Sequence, residues 1–467
     1  MTSWTPDLAR GGGPIYRRLA EEIERAIAAG QLSAGHKLPP QRDLAYDLGI
    51  TIGTVGRAYA LARERGLVSG EVGRGTYVRA REEAAPAATL SFGGTRSMVV
   101  SPGRLRMDST AAPDVGQGPV IEALSRRVVA DNPVGVASYT RTLPDHWQEA
   151  GSRWLAAAGW RPAPESVVPT LGGHAAVMAA IGAVTAPGER IALEALTYAP
   201  VARGAHLIGR RVVTVALGPG GMDAADFERL CRQQHPKLAF IVASLHNPTL
   251  AVMDEAERRA IAETARRHDV WIVEDNVYGT LLSDPPVPIA ALAPERTFHV
   301  GSLSKAVAAG VRGGWVSCPP HLAPRVLTAH KMLSGGLPFL LAELAAALVL
   351  SGEAAAIRSR VVAEIGARVA LARSHLAGLD FTARDAAPFV WLRLPEPWLS
   401  GTFRTAAAAE GVLIDDEDEF KPARTETVHH RARIALTVPH ARAELAEGLA
   451  TIRRLTDNAV AGYDSYS

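Results

Sequence analysis

The sequence predicts a multidomain chain: an N-terminal winged helix-turn-helix, then a large α/β unit on a mostly parallel sheet, with a smaller C-terminal α+β subdomain. Three observations carry this. At 467 residues the chain exceeds what one hydrophobic core usually organises. Its first 80 residues space three amphipathic stretches and a glycine-rich hairpin as a winged helix-turn-helix does. Beyond about residue 105, strand-like apolar runs alternate with helical ones, the pattern of a parallel sheet covered on both faces.

In the first stretch, Ile15, Leu19, Ile23 and Ile27 fall four apart, an apolar stripe on a helix that Gly30 ends. Arg42 to Leu48 and Thr51 to Arg65 read as two further helices around a turn at Gly49, the second capped by Thr51. Leu67-Val68, the glycines 70, 73 and 75, and Thr76-Tyr77-Val78 suggest a two-stranded wing. From Arg79 to about Arg104 no period is sustained, so residues 1–80 are expected to form one domain, 81–105 a linker and 106–467 the second. Strands are expected at Arg190–Leu193, Val212–Ala216, Leu238–Ala243, Val270–Val273 and Thr297–Gly301.

Composition is that of an ordinary globular protein, 47% hydrophobic and 21% charged, which excludes wholesale disorder. The net charge of +2 hides an asymmetry, since residues 1–81 hold twelve Lys/Arg against eight Asp/Glu. A basic N-terminal excess is a modest hint of a polyanionic partner. Cys231 and Cys318 have neither disulfide-framework nor metal-ligand spacing, so no metal site is expected and a reducing cytoplasm fits. MTSWTPDLARGGG lacks an apolar signal core, and the apolar run Leu337–Leu350 is short and interrupted by Glu343, so no membrane segment is expected.

Residues 14–79, above all GQLSAGHKLPPQRDLAYDLGITIGTVGRAYALARERGLVSGEVGRGTYV, resemble a GntR-type winged helix-turn-helix. The resemblance implies a double-stranded DNA operator as partner. Thr51 to Arg65 would lie in the major groove, Arg42 would meet phosphate or a base edge, Thr54 and Arg57 would project from the reading helix, and the wing at Arg74 would approach the minor groove. A lone arginine is more often a solvated surface charge; the full pattern of helices, turn and wing reverses that. One departure stands out: where many relatives carry a polar or basic residue early in the reading helix, this chain has Ile52.

A second set of motifs lies between Tyr139 and Arg433. VGSLSKAVAAGVRGGW sets Lys305 after an expected strand, with Ser302 and Ser304 before it and Arg312 seven residues on. Such a set suits pyridoxal 5'-phosphate (PLP): a lysine amine for its aldehyde, hydroxyls and a guanidinium for its phosphate dianion. VWIVEDNVYG supplies Asp275 for the protonated pyridine nitrogen and Tyr278 for the phenolic oxygen, to which Asn247 of LHNPT also suits. Gly173 and His174 open a helix whose amides would cradle phosphate, and Tyr198 would stack on the ring. Singly each residue has a bland reading, as surface charge, cap or ion-pair partner. Their joint order on strand ends, where α/β proteins build sites, does not.

Across residues 106–456 these motifs resemble the fold-type I aspartate aminotransferase family, and with the GntR-like head the whole chain resembles the MocR subgroup of PLP-dependent regulators. That resemblance implies a head-to-tail homodimer in which Tyr139 reaches the partner's cofactor phosphate, and an effector carboxylate clamped by Arg433. The implied function is transcription regulation in response to an amino acid or related amine. The alternative is a PLP-dependent aminotransferase with a degenerate N-terminal domain. Leu250, where many relatives have glycine, and Ala309, where proline is frequent, depart from the family pattern on the substrate side, as does TRTLPDHWQEAGSRW after Tyr139.

Overall fold

A computed structural model describes residues 4, 6–8, 14–33, 35–64, 67–71, 75–78, 103–423, 425 and 427–458. The chain divides into two compact units, within Met1–Gly93 and Gly94–Ser467.

The first unit holds helices α1 (Ile15–Ala28), α2 (Gln41–Asp47) and α3 (Ile52–Glu64) and the antiparallel strands β1 (Val68–Glu71) and β2 (Gly75–Val78). Leu19 and Ile23 from α1, Leu44 from α2, Val55 and Tyr59 from α3, and Val68 and Val78 from the hairpin make its core. Tyr59 is fixed further by donating its hydroxyl to the Pro39 carbonyl at 2.8 Å, and burial pushes its phenol pKa up. Gly49 turns the chain between α2 and α3 at φ 63°, a left-handed conformation that costs a glycine little. The Thr51 side chain accepts the Thr54 N–H at 3.2 Å, capping α3 as its sequence position predicts. Gly73 and Arg74, at the expected tip of the wing, lie outside the described residues.

The second unit opens with a short strand, β3 (Leu105–Arg106). A seven-stranded sheet follows, from β4 (Val167–Thr170), β5 (Arg190–Glu194), β6 (Arg211–Val215), β9 (Leu238–Ile241), β10 (Trp271–Asp275), β11 (Thr297–Ser302) and β12 (Gly314–Ser317). The intervening β7 (Leu217–Gly218) and β8 (Gly221–Met222) form a hairpin. The order is β4-β12-β11-β10-β9-β5-β6, parallel except for β12, which runs against both its neighbours. Alternation along the strands sends Leu193, Phe240 and Val273 to one face, packed on the helix Gly172–Val184. Ala192, Ile241 and Ile272 go to the other, under the helices Ala224–Gln234 and Glu255–Arg267. All five strands expected from sequence lie in this sheet; β4 and β12 were not anticipated.

The smaller subdomain is a second sheet ordered β13 (Phe381–Thr382), β14 (Phe389–Arg393), β17 (Arg431–Ala435), β16 (Asp415–Asp416), packed with the helices Glu353–His375 and Arg442–Asp457. Strand β15 (Val412–Leu413) pairs with β3, tying the start of the unit to this subdomain. The apolar run Leu337–Leu350 forms the helix Phe339–Leu350, whose Glu343 accepts hydrogen bonds from Trp147 Nε1 at 2.6 Å and His146 Nε2 at 2.8 Å. Among the described residues, no single helix is long and apolar enough to cross a membrane.

Candidate cofactor and ligand site

The C-terminal ends of the parallel strands converge on a cavity of about 520 Å³, the place where open α/β sheets build sites. Tyr198 arrives from the loop after β5, Asn247 after β9, Asp275 at the end of β10, Ser302 at the end of β11 with Ser304 and Lys305 just beyond it, and Gly173 and His174 after β4. Tyr278, Arg312 and Arg433 complete the predicted residues that line it. Tyr139 does not: it is 89% exposed and lies outside the lining of its own chain's cavity.

Strand periodicity sorts the two carboxylates that the sequence placed side by side. Glu274 points away from the cavity into a buried cluster, accepting from Arg258 Nη1 at 3.1 Å, His299 Nδ1 at 2.8 Å and the Ile289 and Ala290 amides. Burial works to raise its pKa, yet His299 and Arg258 hold it below the ordinary carboxylate value. Arg258 also donates to the Ala243 and Met253 carbonyls and to Ser244, so the cluster braces the strand ends behind the cavity. Asp275, one residue on, faces the cavity. It accepts the Val277 N–H at 3.0 Å, and burial drives its pKa up to about 6 against the pull of that bond and of Lys305.

Lys305 Nζ donates to Thr110 Oγ1 at 3.1 Å, and that hydroxyl lies 2.6 Å from the Tyr278 hydroxyl. The helix Gly172–Val184 aims its first amides, and with them its positive terminus, at the cavity. Gly173 is required there, because a Cβ would stand 2.8 Å from Val277 Cγ2. Half-buried His174 has its pKa lowered by desolvation and by Arg312, and its buried Nδ1 has no hydrogen-bond partner among the described residues. Arg312 takes a left-handed backbone at φ 55°, strain of roughly 1–2 kcal/mol for a side-chain-bearing residue. Leu250 does the same at φ 64°, buried, where many relatives use glycine.

Arg433, on β17, is 4% exposed and held on every side. Nε donates to Asp415 Oδ2 at 3.0 Å, Nη1 to Asn247 Oδ1 at 2.8 Å and Nη2 to the Asp108 carbonyl at 3.3 Å, while Phe389 and Phe420 flank the guanidinium. Sequence reading missed Thr110 and Asp415. It also missed Arg203 and Glu419, an ion pair at 3.0 Å whose two side chains line the cavity.

This donor set fits PLP: an amine beside two hydroxyls, a helix terminus with Arg312 for a dianion, an imidazole whose buried Nδ1 is unpartnered among the described residues, and a buried carboxylate that a pyridinium nitrogen would suit. In cofactor-free protein burial favours the protonated form of Asp275, so its contribution to stability is full below about pH 4 and is lost as pH rises through about 6. Thermal melting of cofactor-free protein across that range should show wild type falling relative to Asp275→Asn, which cannot ionise; parallel curves would remove the carboxylate from the account.

In the first unit the predicted DNA-facing residues Arg42, Thr51 and Arg57 are exposed, and Thr54 is half-buried. The fold and site together define a PLP-binding α/β protein of the aminotransferase type carrying a helix-turn-helix head. Residues 120–452 match the family described as aminotransferase class I and II, to which the chain belongs, and residues 15–78 match bacterial regulatory proteins of the gntR family. The combination is that of the MocR subgroup: a PLP-dependent, DNA-binding transcription regulator. Similar proteins include the uncharacterized HTH-type transcriptional regulator YdeF of Bacillus subtilis, 27% identical over 98% of this chain and 97% of that protein. The probable rhizopine catabolism regulatory protein MocR of Rhizobium meliloti is 26% identical over 85% of each. Among solved structures, α-aminoadipate aminotransferase LysN from Thermus thermophilus superposes with a TM-score of 0.69 at 20% identity, covering 77% of this chain and 94% of that one. N-succinyldiaminopimelate aminotransferase from Mycobacterium tuberculosis gives 0.66 at 24%, covering 76% and 94%.

Proposed function

We propose that this regulator senses an amino acid or related amine in the cavity around Lys305 and converts its binding into a change of operator affinity, acting in the cytoplasm as a head-to-tail homodimer. The observation that carries the reading is one chain in which a DNA-binding head precedes a cavity lined by Lys305, Asp275 and Arg433. PLP, when bound, supplies an aldehyde and an electron-withdrawing ring able to hold an amine covalently. Lys305 would provide the attachment point, and its hydrogen bond to Thr110, another lining residue, orients the amine in the cavity. Asp275 would hold the pyridine proton, Tyr278 and Asn247 the phenolic oxygen, and Arg312, Ser302, Ser304 and the amides at Gly173 and His174 the phosphate, with Tyr198 available to the ring. Tyr139, exposed and outside the lining of its own cavity, is free to serve the partner's in the head-to-tail dimer proposed. Arg433 orients the carboxylate of the effector.

A ligand shifts the head only by as much as it prefers one conformation over another, and a tenfold change in DNA affinity needs about 1.4 kcal/mol. The test is a panel of amino compounds scored by PLP absorption and by operator binding. The cognate compound changes both at matching concentrations. If the compound that perturbs the spectrum is turned over to a keto acid while DNA binding stays constant, the aminotransferase alternative stands.

The head's own contribution is predicted from Arg42 and Arg57, both exposed. Substituting either by alanine should cost roughly 1–3 kcal/mol of operator binding if it forks onto a guanine, and weaken all sequences equally if it meets phosphate. Titrations against operator and random duplex at two salt concentrations separate the cases; no loss on either duplex would remove the arginine from the interface.

A further inference from the structure

The first turn of α3 carries a side chain that the head has no use for. Ile52 is 49% exposed, outside the core made by Leu19, Leu44, Val55 and Tyr59. Its two hydroxyl neighbours in the first turn are engaged with each other. The hydroxyls of Thr51 and Thr54 lie 2.9 Å from each other, and Thr51 also caps the helix. Position 53 is glycine, leaving the backbone beside Ile52 bare. Arg42 on α2 and Arg57 and Arg63 on α3 are exposed, cations on the same two helices suited to a polyanion. As a β-branched residue in a helix, Ile52 has essentially one χ1 rotamer, so its methyls are presented rigidly.

We infer that Ile52 reads a methyl group in the major groove, making one thymine of the operator a position recognised by hydrocarbon contact rather than by hydrogen bonding. The inference rests on the reading of α3 as the groove-facing helix. In the major groove thymine alone of the four bases carries a 5-methyl, and apolar side chains discriminate it by contact. A polar or basic residue here would favour an acceptor-rich edge such as guanine; isoleucine cannot, and next to guanine it would leave O6 and N7 without donors.

The test uses the full-length, PLP-loaded protein. Its preferred sequence is selected from random duplexes, and each thymine is then replaced in turn by deoxyuridine, which keeps every hydrogen-bonding group and removes only the methyl. At one position binding should weaken about fourfold, the worth of one buried methyl-sized group. Placing cytosine there should weaken binding, and 5-methylcytosine should recover part of the loss. Ile52→Ala should bind thymine and uracil equally at that position, and Ile52→Arg should move the preference there toward guanine. Ile52→Ser, also lacking the branched hydrocarbon, serves if the alanine variant is poorly folded. Uracil tolerated at every position, or a uracil effect that persists in both variants, overturns the assignment. Selection that yields no preferred sequence overturns the DNA-binding reading itself, a different result from a preferred sequence indifferent to methyls.

Discussion

Lys305→Ala is expected to abolish covalent attachment of PLP while leaving the fold intact. The side chain makes one hydrogen bond, to Thr110, and stands 5.4 Å from the Tyr278 ring centroid. Its loss therefore removes a net contribution of roughly 1–3 kcal/mol. The phosphate grip proposed for Arg312 and the helix Gly172–Val184 does not involve Lys305, so the variant should still bind the cofactor, weakly and reversibly. Borohydride treatment followed by peptide mass spectrometry should find the wild-type adduct on the peptide containing Lys305 and none in the variant, whose absorption should be that of free cofactor. An adduct of undiminished yield in Lys305→Ala would place the attachment elsewhere. Lys331 and Lys421, at other positions of the same unit, are the internal controls.

What could be read in the sequence divides along a physical line. Ser302, Lys305 and Arg312 were legible because one strand and the turn after it set all three, and local spacing survives into the fold. Asp275 was legible for the same reason, since it ends the buried strand β10, and Asn247 because it lies in the short loop that follows β9. Thr110 was not: it meets Lys305 across 195 residues, from a stretch without period. Asp415 was hidden differently. It begins the run Asp415-Asp416-Glu417-Asp418-Glu419, which reads as a solvated acidic surface, yet the first three are buried and paired with Arg433, Arg404 and Lys421. Strand β12 was overlooked because Gly314-Trp315-Val316-Ser317 follows directly on the cofactor motif and runs against its neighbours, where alternating helices and strands predict only parallel ones. Leu250 and Ala309 altered the family pattern without removing the elements around them; Leu250 simply adopts the left-handed backbone usually given to glycine.

The pairing of Arg433 with Asp415 changes what its removal should do. A ligand-clamping arginine that stood free would be silent in the folded protein, and Arg433→Ala would affect only the response to effector. Here the guanidinium is buried, shares Asp415 through Nε and Nη2, and bridges β17 to Asn247 in the large sheet's loop. Taking it away leaves a carboxylate that is itself 3% exposed without its guanidinium, a loss on the order of 3 kcal/mol. Arg433→Ala should therefore lower stability in urea by about that amount as well as weaken the effector response. The two consequences separate in the double variant Arg433→Met with Asp415→Leu, which replaces the ion pair by hydrocarbon of similar volume and should recover most of the lost stability. If Arg433 orients an effector carboxylate, the double variant remains stable, keeps PLP on Lys305, and still fails to couple the amino compound to DNA binding. If its role is only to brace β16 against β17, the double variant regains the full response together with its stability, and the effector carboxylate must be met by another residue, with Arg203 across the same cavity the next to substitute.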